Sequence, residues 1–394
     1  MPITKGPQAF AKSEYLRRLA AVKSEMTRRD IDALVVTDAA SITYLTGYTA
    51  RAGADPKGVM ISIREEDPTI ILRKMDIPAA VHQTFLERSK VIGYAESLVG
   101  NPEKDGYDTL IDFLFDNGLA NRGVGLDMSA LSVPIAEKFR RRLPEARIVD
   151  FTGAIGWIRT IKSDLEIAYM KEAAAITDAG IMRAAEVMGP NVREADVIAE
   201  IVGTLVRGTD GKAGTWMATP FLCSSPRTGT SHIMWSEDSL RSGSQINLEI
   251  AGVRHGYTAP MCRTYSIGKP SDRLRRTHEA HLAGLEAGIS AIRPGTSCGD
   301  VARAIHGALK KHGFKKESRC GYAIGIDWRE MTASFNETDE TELKPNMTFH
   351  LHLGNWMIEE DFGYVISESI RVTDSGIEIL TKAPRKLFEL SDSK

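Results

Sequence analysis

The chain has 394 residues, a length that predicts two domains rather than one core. Its 42% apolar and 26% charged residues are ordinary for a globular protein, and a formal net charge of −2 argues against nucleic acid or an anionic membrane as partner. We expect a small-molecule substrate instead. Four widely spaced cysteines form no metal-binding pair, and no signal-type or membrane-spanning apolar run occurs, so reduced thiols and a cytoplasmic location are expected.

The first half of the chain alternates between helical and strand patterns. Helical periodicity covers residues 13–29, apolar strands are predicted at 33–37, 58–62 and 69–72, and a helix is predicted near 75–88. The segment ITYLTGY, residues 42–48, is interpreted as a buried strand end and turn. This alternation predicts an α/β layer domain over residues 1–162.

The second half begins with a helix start signal. Ser163 is a favourable N-cap with Glu166 three residues later as its capping-box partner, which places the boundary near Lys162. Further helices are predicted at 193–207, 275–292 and 298–312, and strands at 347–353 and 364–372. Residues 163–394 are therefore predicted to form an α+β domain.

A hairpin within this domain carries a candidate catalytic acid. Over residues 245–250, QINLEI, apolar and polar residues alternate, which predicts a half-buried strand with Asn247 and Glu249 on its polar face. A β-rich segment at 257–267 follows closely enough to pair back antiparallel.

The hairpin resembles that of the creatinase, prolidase and methionine aminopeptidase superfamily. Its EIAG, Tyr257, Pro260 and the pair Arg263-Thr264 are most similar to the ectoine hydrolase branch, and YLTG in the first half is also typical of the superfamily. The resemblance implies a creatinase-type N-terminal domain, a pita-bread catalytic domain and a homodimer.

The resemblance also argues against a catalytic metal. The metal-ligand positions of the peptidase members match Glu249, Pro260, Tyr322, His352 and Glu368 here. Proline has no ligand atom, and tyrosine replaces a histidine, so we expect no dinuclear centre and no cofactor. A single structural or adventitious metal stays open.

Three residues are candidates for catalysis. Glu249 could attack a carbon or deprotonate water, and His232, in TSHIMW, resembles the superfamily's active-site histidine. Glu368 shares a strand face with isoleucines, where burial would raise its pKa, and a structural ion pair with an arginine is the alternative. We expect Glu249 and Glu368 to be neighbours.

The candidate substrate-binding residues are His352, Tyr322, Trp356 and Tyr257. Core packing is the alternative for the tyrosines and tryptophans, including Trp216 and Trp235. A substrate carboxylate could be bound by a loop arginine, and the sequence does not choose among Arg227, Arg319 and Arg329.

The function that the resemblance implies is hydrolysis of a cyclic amidine C–N bond, ectoine or a close analogue giving N-acetyl-2,4-diaminobutyrate, without a metal. The alternatives are a metal-dependent Xaa-Pro peptidase, a creatinase-like amidinohydrolase and a non-catalytic ligand-binding homologue. The chain continues TARAGADPKG after ITYLTGY, where ectoine hydrolases carry aromatic residues, so the ring that is opened stays undetermined.

Overall fold

The computed structural model describes residues 3–49 and 55–392. The chain divides into two compact units, residues 1–159 and 160–394, close to the boundary expected near Lys162. The segment TARAGADPKG, where the sequence differs from ectoine hydrolases, includes residues 50–54, and these five residues lie outside the described ranges. No helix in the described ranges is long and apolar enough to cross a membrane, and all four cysteines are free thiols.

The first unit is an α/β layer. Its elements are α1 (Lys12–Arg28), β1 (Ala33–Val36), α2 (Ala39–Thr46), β2 (Gly58–Ser62), β3 (Thr69–Arg73), α3 (Ile77–Gln83), β4 (Val91–Tyr94), α4 (Gly106–Asp116), β5 (Gly123–Leu126), α5 (Val133–Arg142), β6 (Arg147–Asp150) and α6 (Ala154–Ile158). Within the described part of this unit the strands form one mixed sheet in the order β4-β3-β2-β1-β5-β6. Apolar residues of β1, β5, α4 and α5 share one core cluster.

Two local predictions in this unit are wrong. ITYLTGY is not a strand end: it forms most of α2, because Asp38 accepts a hydrogen bond from the Ser41 backbone N–H and Gly47, at φ 84°, ends the helix. The helix expected near 75–88 ends at Gln83, because Thr84 turns to an extended conformation and its hydroxyl donates to the Ala80 carbonyl.

The second unit contains the helices and strands of the predicted catalytic domain. They are α7 (Asp164–Val187), α8 (Glu194–Arg207), β7 (Phe221–Ser224), β8 (Gln245–Arg254), β9 (Tyr257–Ile267), α9 (Asp272–Ala291), α10 (Cys298–Lys311), β10 (Gly321–Ala323), β11 (Thr348–His352), β12 (Asn355–Met357), β13 (Phe362–Tyr364), β14 (Ser367–Val372), β15 (Ile377–Ile379) and β16 (Phe388–Leu390). The capping box of Ser163 and Glu166 opens α7, as predicted.

Two sheets, each covered by a helix pair, organise this unit. Among the described residues the strand orders are β16-β9-β8-β7 and β10-β11-β14-β15, with β12-β13 as a separate ribbon. Residues of α7 and α8 pack on the apolar face of β8 and β9, and residues of α9 and α10 pack on that of β11 and β14. The polar faces of the sheets are therefore left on the sides away from the helices.

The polar face of β8 is buried rather than solvated, which corrects the expectation of a half-buried strand. Gln245 and Asn247 both donate to the Gly363 carbonyl, and the Thr264 hydroxyl donates to Asn247 and lies within hydrogen-bond distance of the Val365 carbonyl. Buried polar groups need such partners, so these bonds join β8 and β9 to the 363–365 segment. A carboxylate on this face is consequently withdrawn from bulk water.

Candidate active site

A cavity of about 350 Å³ opens on the polar faces of β8 and β11 in the second unit. Five of the predicted site residues line it, and two do not. The lining residues are Phe221, His232, Glu249, Ser318, Arg319, Tyr322, Trp328, Arg329, His352 and Trp356.

Glu249 is the single carboxylate among the described lining residues. It pairs with Phe221 on β7 and with Cys262 on β9, and only 14% of its side chain is exposed. Burial raises the pKa of its carboxyl to about 7, against a weaker opposing effect of a hydrogen bond with the Cys262 thiol. The nearest ring nitrogen, Nδ1 of His350, is 3.9 Å from its Oε1.

His350 lies in a buried hydrogen-bond chain behind the cavity. Trp328 Nε1 donates to the Tyr322 hydroxyl over 3.0 Å, that hydroxyl is 3.0 Å from His350 Nδ1, and His350 Nε2 is 2.6 Å from Ser367 Oγ. Burial lowers the pKa of His350 to about 3, so the ring is neutral. One consistent proton assignment has Tyr322 donating to Nδ1 and Nε2–H donating to Ser367. These hydrogen bonds hold the Tyr322 and Trp328 side chains in place.

His352 presents a neutral imidazole to the cavity. Its ring lies nearly parallel to that of Trp356, with centroids 6.0 Å apart. Burial first, and then neighbouring positive groups, hold its pKa well below the usual value. Nδ1 accepts a long bond of 3.4 Å from the Gly354 N–H, whereas the buried Nε2 has no hydrogen-bond partner among the described residues. This nitrogen is available to a ligand.

His232 lies at the exposed edge of the cavity. Its backbone is left-handed, at φ 55°, and its ring meets Phe221 edge-on with centroids 5.5 Å apart. Histidine is one of the few residue types enriched in this conformation. The geometry makes the ring accessible to a molecule in the cavity.

Two arginines bring positive charge to the cavity without a carboxylate partner in the described part of the chain. Arg319 lies over the Tyr322 ring at 4.5 Å, and burial together with the charge of Arg329 lowers its pKa. Arg227, the third candidate, does not line the cavity, because Glu194 holds its Nη2 at 2.7 Å. An anionic group would therefore meet Arg319 and Arg329.

Trp328 and Phe221 are lining residues that the sequence interpretation missed. Trp356 lines the cavity as predicted, but Trp216 and Trp235 do not. Two features of the sequence could have identified them: Trp328 is adjacent to the candidate Arg329, and Phe221 lies in a short apolar segment before the hairpin.

Tyr257, a predicted substrate-binding residue, does not line the cavity. It is buried, and its hydroxyl donates to Glu166 on α7 over 2.8 Å. Cys262 lies opposite Glu249 in the hairpin, so both side chains are on the same face of the sheet. Successive strand residues point to opposite faces, and Tyr257 is separated from Cys262 by an odd number of positions. It therefore faces away from Glu249.

Glu368 also lies away from the cavity, so it is not the neighbour of Glu249 that the sequence predicted. In the β11–β14 pairing, Ser367 faces His352 and Glu368 faces Leu351, a residue of the apolar core. Glu368 Oε1 accepts from Arg263 Nη2 over 2.8 Å, with both side chains buried. The alternative of a structural ion pair is the one that the geometry supports.

The residues present do not fit a dinuclear metal centre. Such a centre needs bridging carboxylates, and Glu249 is the only carboxylate among the described lining residues. Pro260 has no side-chain ligand atom, and Tyr322 is engaged by Trp328. Glu249, Cys262 and His352 do bring three ligand atoms within 4.8 Å of one another.

Comparisons with known proteins identify both halves of the chain. Residues 168–374 match Metallopeptidase family M24, and residues 18–161 match the Creatinase/Prolidase N-terminal domain. These matches confirm the predicted superfamily and fold class.

Two relatives are similar over nearly their whole length. The uncharacterised hydrolase/peptidase y4tL of Sinorhizobium fredii is 62% identical over 98% of this chain and 99% of its own. Ectoine hydrolase of Halomonas elongata is 35% identical over 96% of this chain and 98% of its own. Among solved structures, X-Pro aminopeptidase from Thermotoga maritima superposes with a TM-score of 0.82 over 94% of this chain and 99% of its own, at 19% identity, a likeness of fold.

Glu368→Gln should reduce stability rather than catalysis. The change leaves Arg263 buried without its counter-charge, which should lower the free energy of unfolding by about 3 kcal/mol. Thermal unfolding should show this as a lower Tm, whereas Glu389→Gln, an exposed change on β16, should leave Tm nearly unchanged. An unaltered Tm combined with lost turnover would return Glu368 to the catalytic residues.

Proposed function

The chain belongs to metallopeptidase family M24, and from that premise we propose that it is a hydrolase that opens a C–N bond of a cyclic amidine, ectoine or a close analogue, without a catalytic metal. The observation that carries the proposal is Glu249: a single buried carboxylate, with a pKa raised to about 7, in a cavity with no second acid among its described lining residues. The 35% identical ectoine hydrolase supports the substrate class.

The cavity suits a compact ring that carries a carboxylate. Its volume of about 350 Å³ is at the small end for ligand pockets, and Phe221, Trp328 and Trp356 supply aromatic walls. Ectoine is a cyclic amidinium with one ring carboxylate. Arg319 and Arg329 would bind that carboxylate, and Glu249 would meet the amidinium.

Glu249 would start the reaction at the amidine carbon, which is electrophilic because two nitrogens share its positive charge. In one route its carboxylate oxygen bonds to that carbon, and water later resolves the covalent adduct. In the other route Glu249 takes a proton from a water whose oxygen adds to the carbon. Its raised pKa makes the carboxylate a stronger base than an exposed glutamate.

Bond cleavage would follow from the tetrahedral carbon. One ring C–N bond breaks, and His232 delivers a proton to the departing nitrogen, which leaves as an amine. Tyr322 and the neutral His352 would orient the substrate by hydrogen bonds. One water is consumed for each ring opened, and ectoine would give N-acetyl-2,4-diaminobutyrate.

A substrate screen tests this function against its alternatives. Chelator-treated protein with its metal content measured should convert ectoine or hydroxyectoine, and leave creatine and Xaa-Pro dipeptides unchanged, when products are identified by mass. Activity that is lost and then restored by manganese, zinc or iron would favour a metal-dependent peptidase. Binding of a cyclic amidine without turnover would favour a ligand-binding homologue.

Glu249→Gln should lose at least ~10³-fold in turnover, a barrier increase of about 4 kcal/mol, because both routes need the carboxylate. Calorimetry should still detect substrate binding, since the amide keeps the shape of the side chain. Glu389→Gln serves as the control for loss of a carboxylate outside the cavity. Retention of more than a tenth of the original turnover by Glu249→Gln would exclude both routes.

His232→Ala should lower kcat by roughly 10² to 10⁴, the usual contribution of a positioned acid or base. The control is His312→Ala, which removes an exposed histidine outside the cavity. Equal losses in the two variants would mean that His232 has no specific role in proton transfer.

Arg319→Gln should raise KM by about 10- to 100-fold if Arg319 binds the substrate carboxylate, because a hydrogen bond between charged groups contributes about 1.5–3 kcal/mol. A ring analogue that lacks the carboxylate should bind the original protein and the variant equally well. Arg241→Gln, at an exposed position outside the cavity, is the control. An unchanged preference for the carboxylate in Arg319→Gln would assign its recognition elsewhere.

A further inference from the structure

A second cavity lies beside the catalytic cavity in the same unit. Its volume is about 790 Å³, against about 350 Å³ for the catalytic cavity, and it is formed by the end of α10 and by residues 313–319 and 336–338. Among the described lining residues, only Ser318 and Arg319 belong to both cavities. The second cavity has room for a whole organic molecule, and no step of the proposed reaction uses it.

Positive charge exceeds negative charge on the wall of the second cavity. Both acids among its described lining residues already have a basic partner, and the two pairs are Lys315 with Glu317 and His306 with Glu337. Three further lining cations form no ion pair in the described part of the chain, and they are Lys310, Lys316 and Arg319. An anionic molecule would therefore be attracted to this wall.

Lys316 is a buried charge without a counter-charge. Only 5% of the residue is exposed, and burial lowers the pKa of its amine to about 8, so most of it is still protonated at pH 7. Its Nζ donates to Ser318 Oγ over 2.7 Å and to the Gly354 carbonyl, which occupies two of its three N–H groups. An unpaired buried cation is costly, and a negatively charged acceptor in the cavity would reduce that cost.

We propose that the second cavity binds a small organic dianion, with carboxylate or phosphate groups, between the buried Lys316 and the exposed Lys310. Lysine amines bind either kind of group as point charges. The two negative charges match the two lysines of this wall that have no acid partner among the described residues. Phe314 gives the cavity an apolar surface for the carbon skeleton of the ligand.

Occupation of the second cavity would weaken substrate binding, and this clause rests on the proposed function, whereas dianion binding does not. Arg319 lines both cavities, so the dianion and the substrate carboxylate would share one guanidinium. Each anion draws on the same positive charge, and by linkage each lowers the affinity for the other by the same factor.

Calorimetric titration with succinate and with inorganic phosphate tests the site without any substrate. Sodium chloride at the same ionic strength supplies the baseline for screening by salt. One dianion should bind per chain, and the two titrations show whether carboxylate or phosphate binds more tightly. Absence of binding above the chloride baseline in both titrations would overturn the site.

Four variants locate the bound dianion. Lys310→Gln should weaken binding by roughly 2- to 5-fold, the effect of an exposed charge pair, while Lys311→Gln, at the next exposed lysine of α10 and outside the cavity, should not. Lys316→Met should weaken binding by at least about 10-fold, because a buried hydrogen bond between charged groups is lost. Arg329→Gln changes only the catalytic cavity and should bind the dianion unchanged.

Circular dichroism checks that each variant is folded, and the comparison of Lys310→Gln with Lys311→Gln decides the matter if Lys316→Met does not fold. Unchanged affinity in Lys310→Gln and in folded Lys316→Met would overturn the site. Loss of affinity in Arg329→Gln alone would place the dianion in the catalytic cavity and would also overturn it.

The effect on turnover is measured separately, on the substrate identified by the screen. Succinate should raise KM in the original protein and raise it less in Lys310→Gln at the same concentration, with kcat unchanged. Equal rises in the two proteins, or an unchanged KM with the dianion bound, would overturn the coupling through Arg319. Absence of turnover with every compound of the screen would overturn the proposed function and leave the binding result standing.

Discussion

The antiparallel register of β8 with β9 is the constraint on which the active site depends. It places Glu249 opposite Cys262 and sends Leu248 and Ile250 to the helix-covered side. Because side chains alternate with a period of two, a slip of one residue would bury the polar set in the apolar core and remove Glu249 from the cavity. The turn between the strands is short, with His255 and Gly256 both left-handed, which fixes this register locally.

The polar faces of the two sheets are buried, so their polar side chains need hydrogen-bond partners. Gln245, Asn247 and Thr264 meet this requirement through hydrogen bonds to the backbone of residues 363–365. Further along the hairpin, the Cys262 N–H and the ring of His350 both reach Ser367 Oγ. The cavity is the place where this pairing stops, so that Glu249 and His352 face open space.

The sequence was sufficient for the features set by local chemistry and by alternation. The Ser163 capping box, the hairpin and the placement of Glu249 beside Asn247 depend on neighbouring residues, and the structure contains all of them. The error at Glu368 has a different origin. Alternation correctly grouped Glu368 with isoleucines, but that face packs in the core, and the partner that neutralises the carboxylate is distant in sequence, Arg263.

Trp328 could not be chosen from sequence for the same reason, because its position depends on contacts between distant segments. The Thr258 N–H donates to the Gly325 carbonyl, and the Thr258 hydroxyl lies within hydrogen-bond distance of the Asp327 carbonyl. Glu330, two residues after Trp328, is held by Lys162 over 2.8 Å, with both side chains buried. These contacts fix the segment that brings Trp328 and Arg329 to the cavity.

The distribution of charge distinguishes the cavity from the rest of the interior. Two oppositely charged pairs are fully buried elsewhere in this unit, Lys162 with Glu330 and Arg263 with Glu368, and each pair avoids the high cost of a single unpaired buried charge. At the cavity, Glu249 has a raised pKa, and Arg319 and Arg329 have no acid partner among the described residues. Glu249 and the partly buried Arg319 lose solvation without gaining an opposite charge, which reduces stability, whereas Arg329 is exposed to solvent. A bound molecule with a cationic ring and a carboxylate would compensate both signs at once. Under the proposed function, this arrangement of charges, an acid at the floor and two arginines at the wall, is complementary to a zwitterionic ligand.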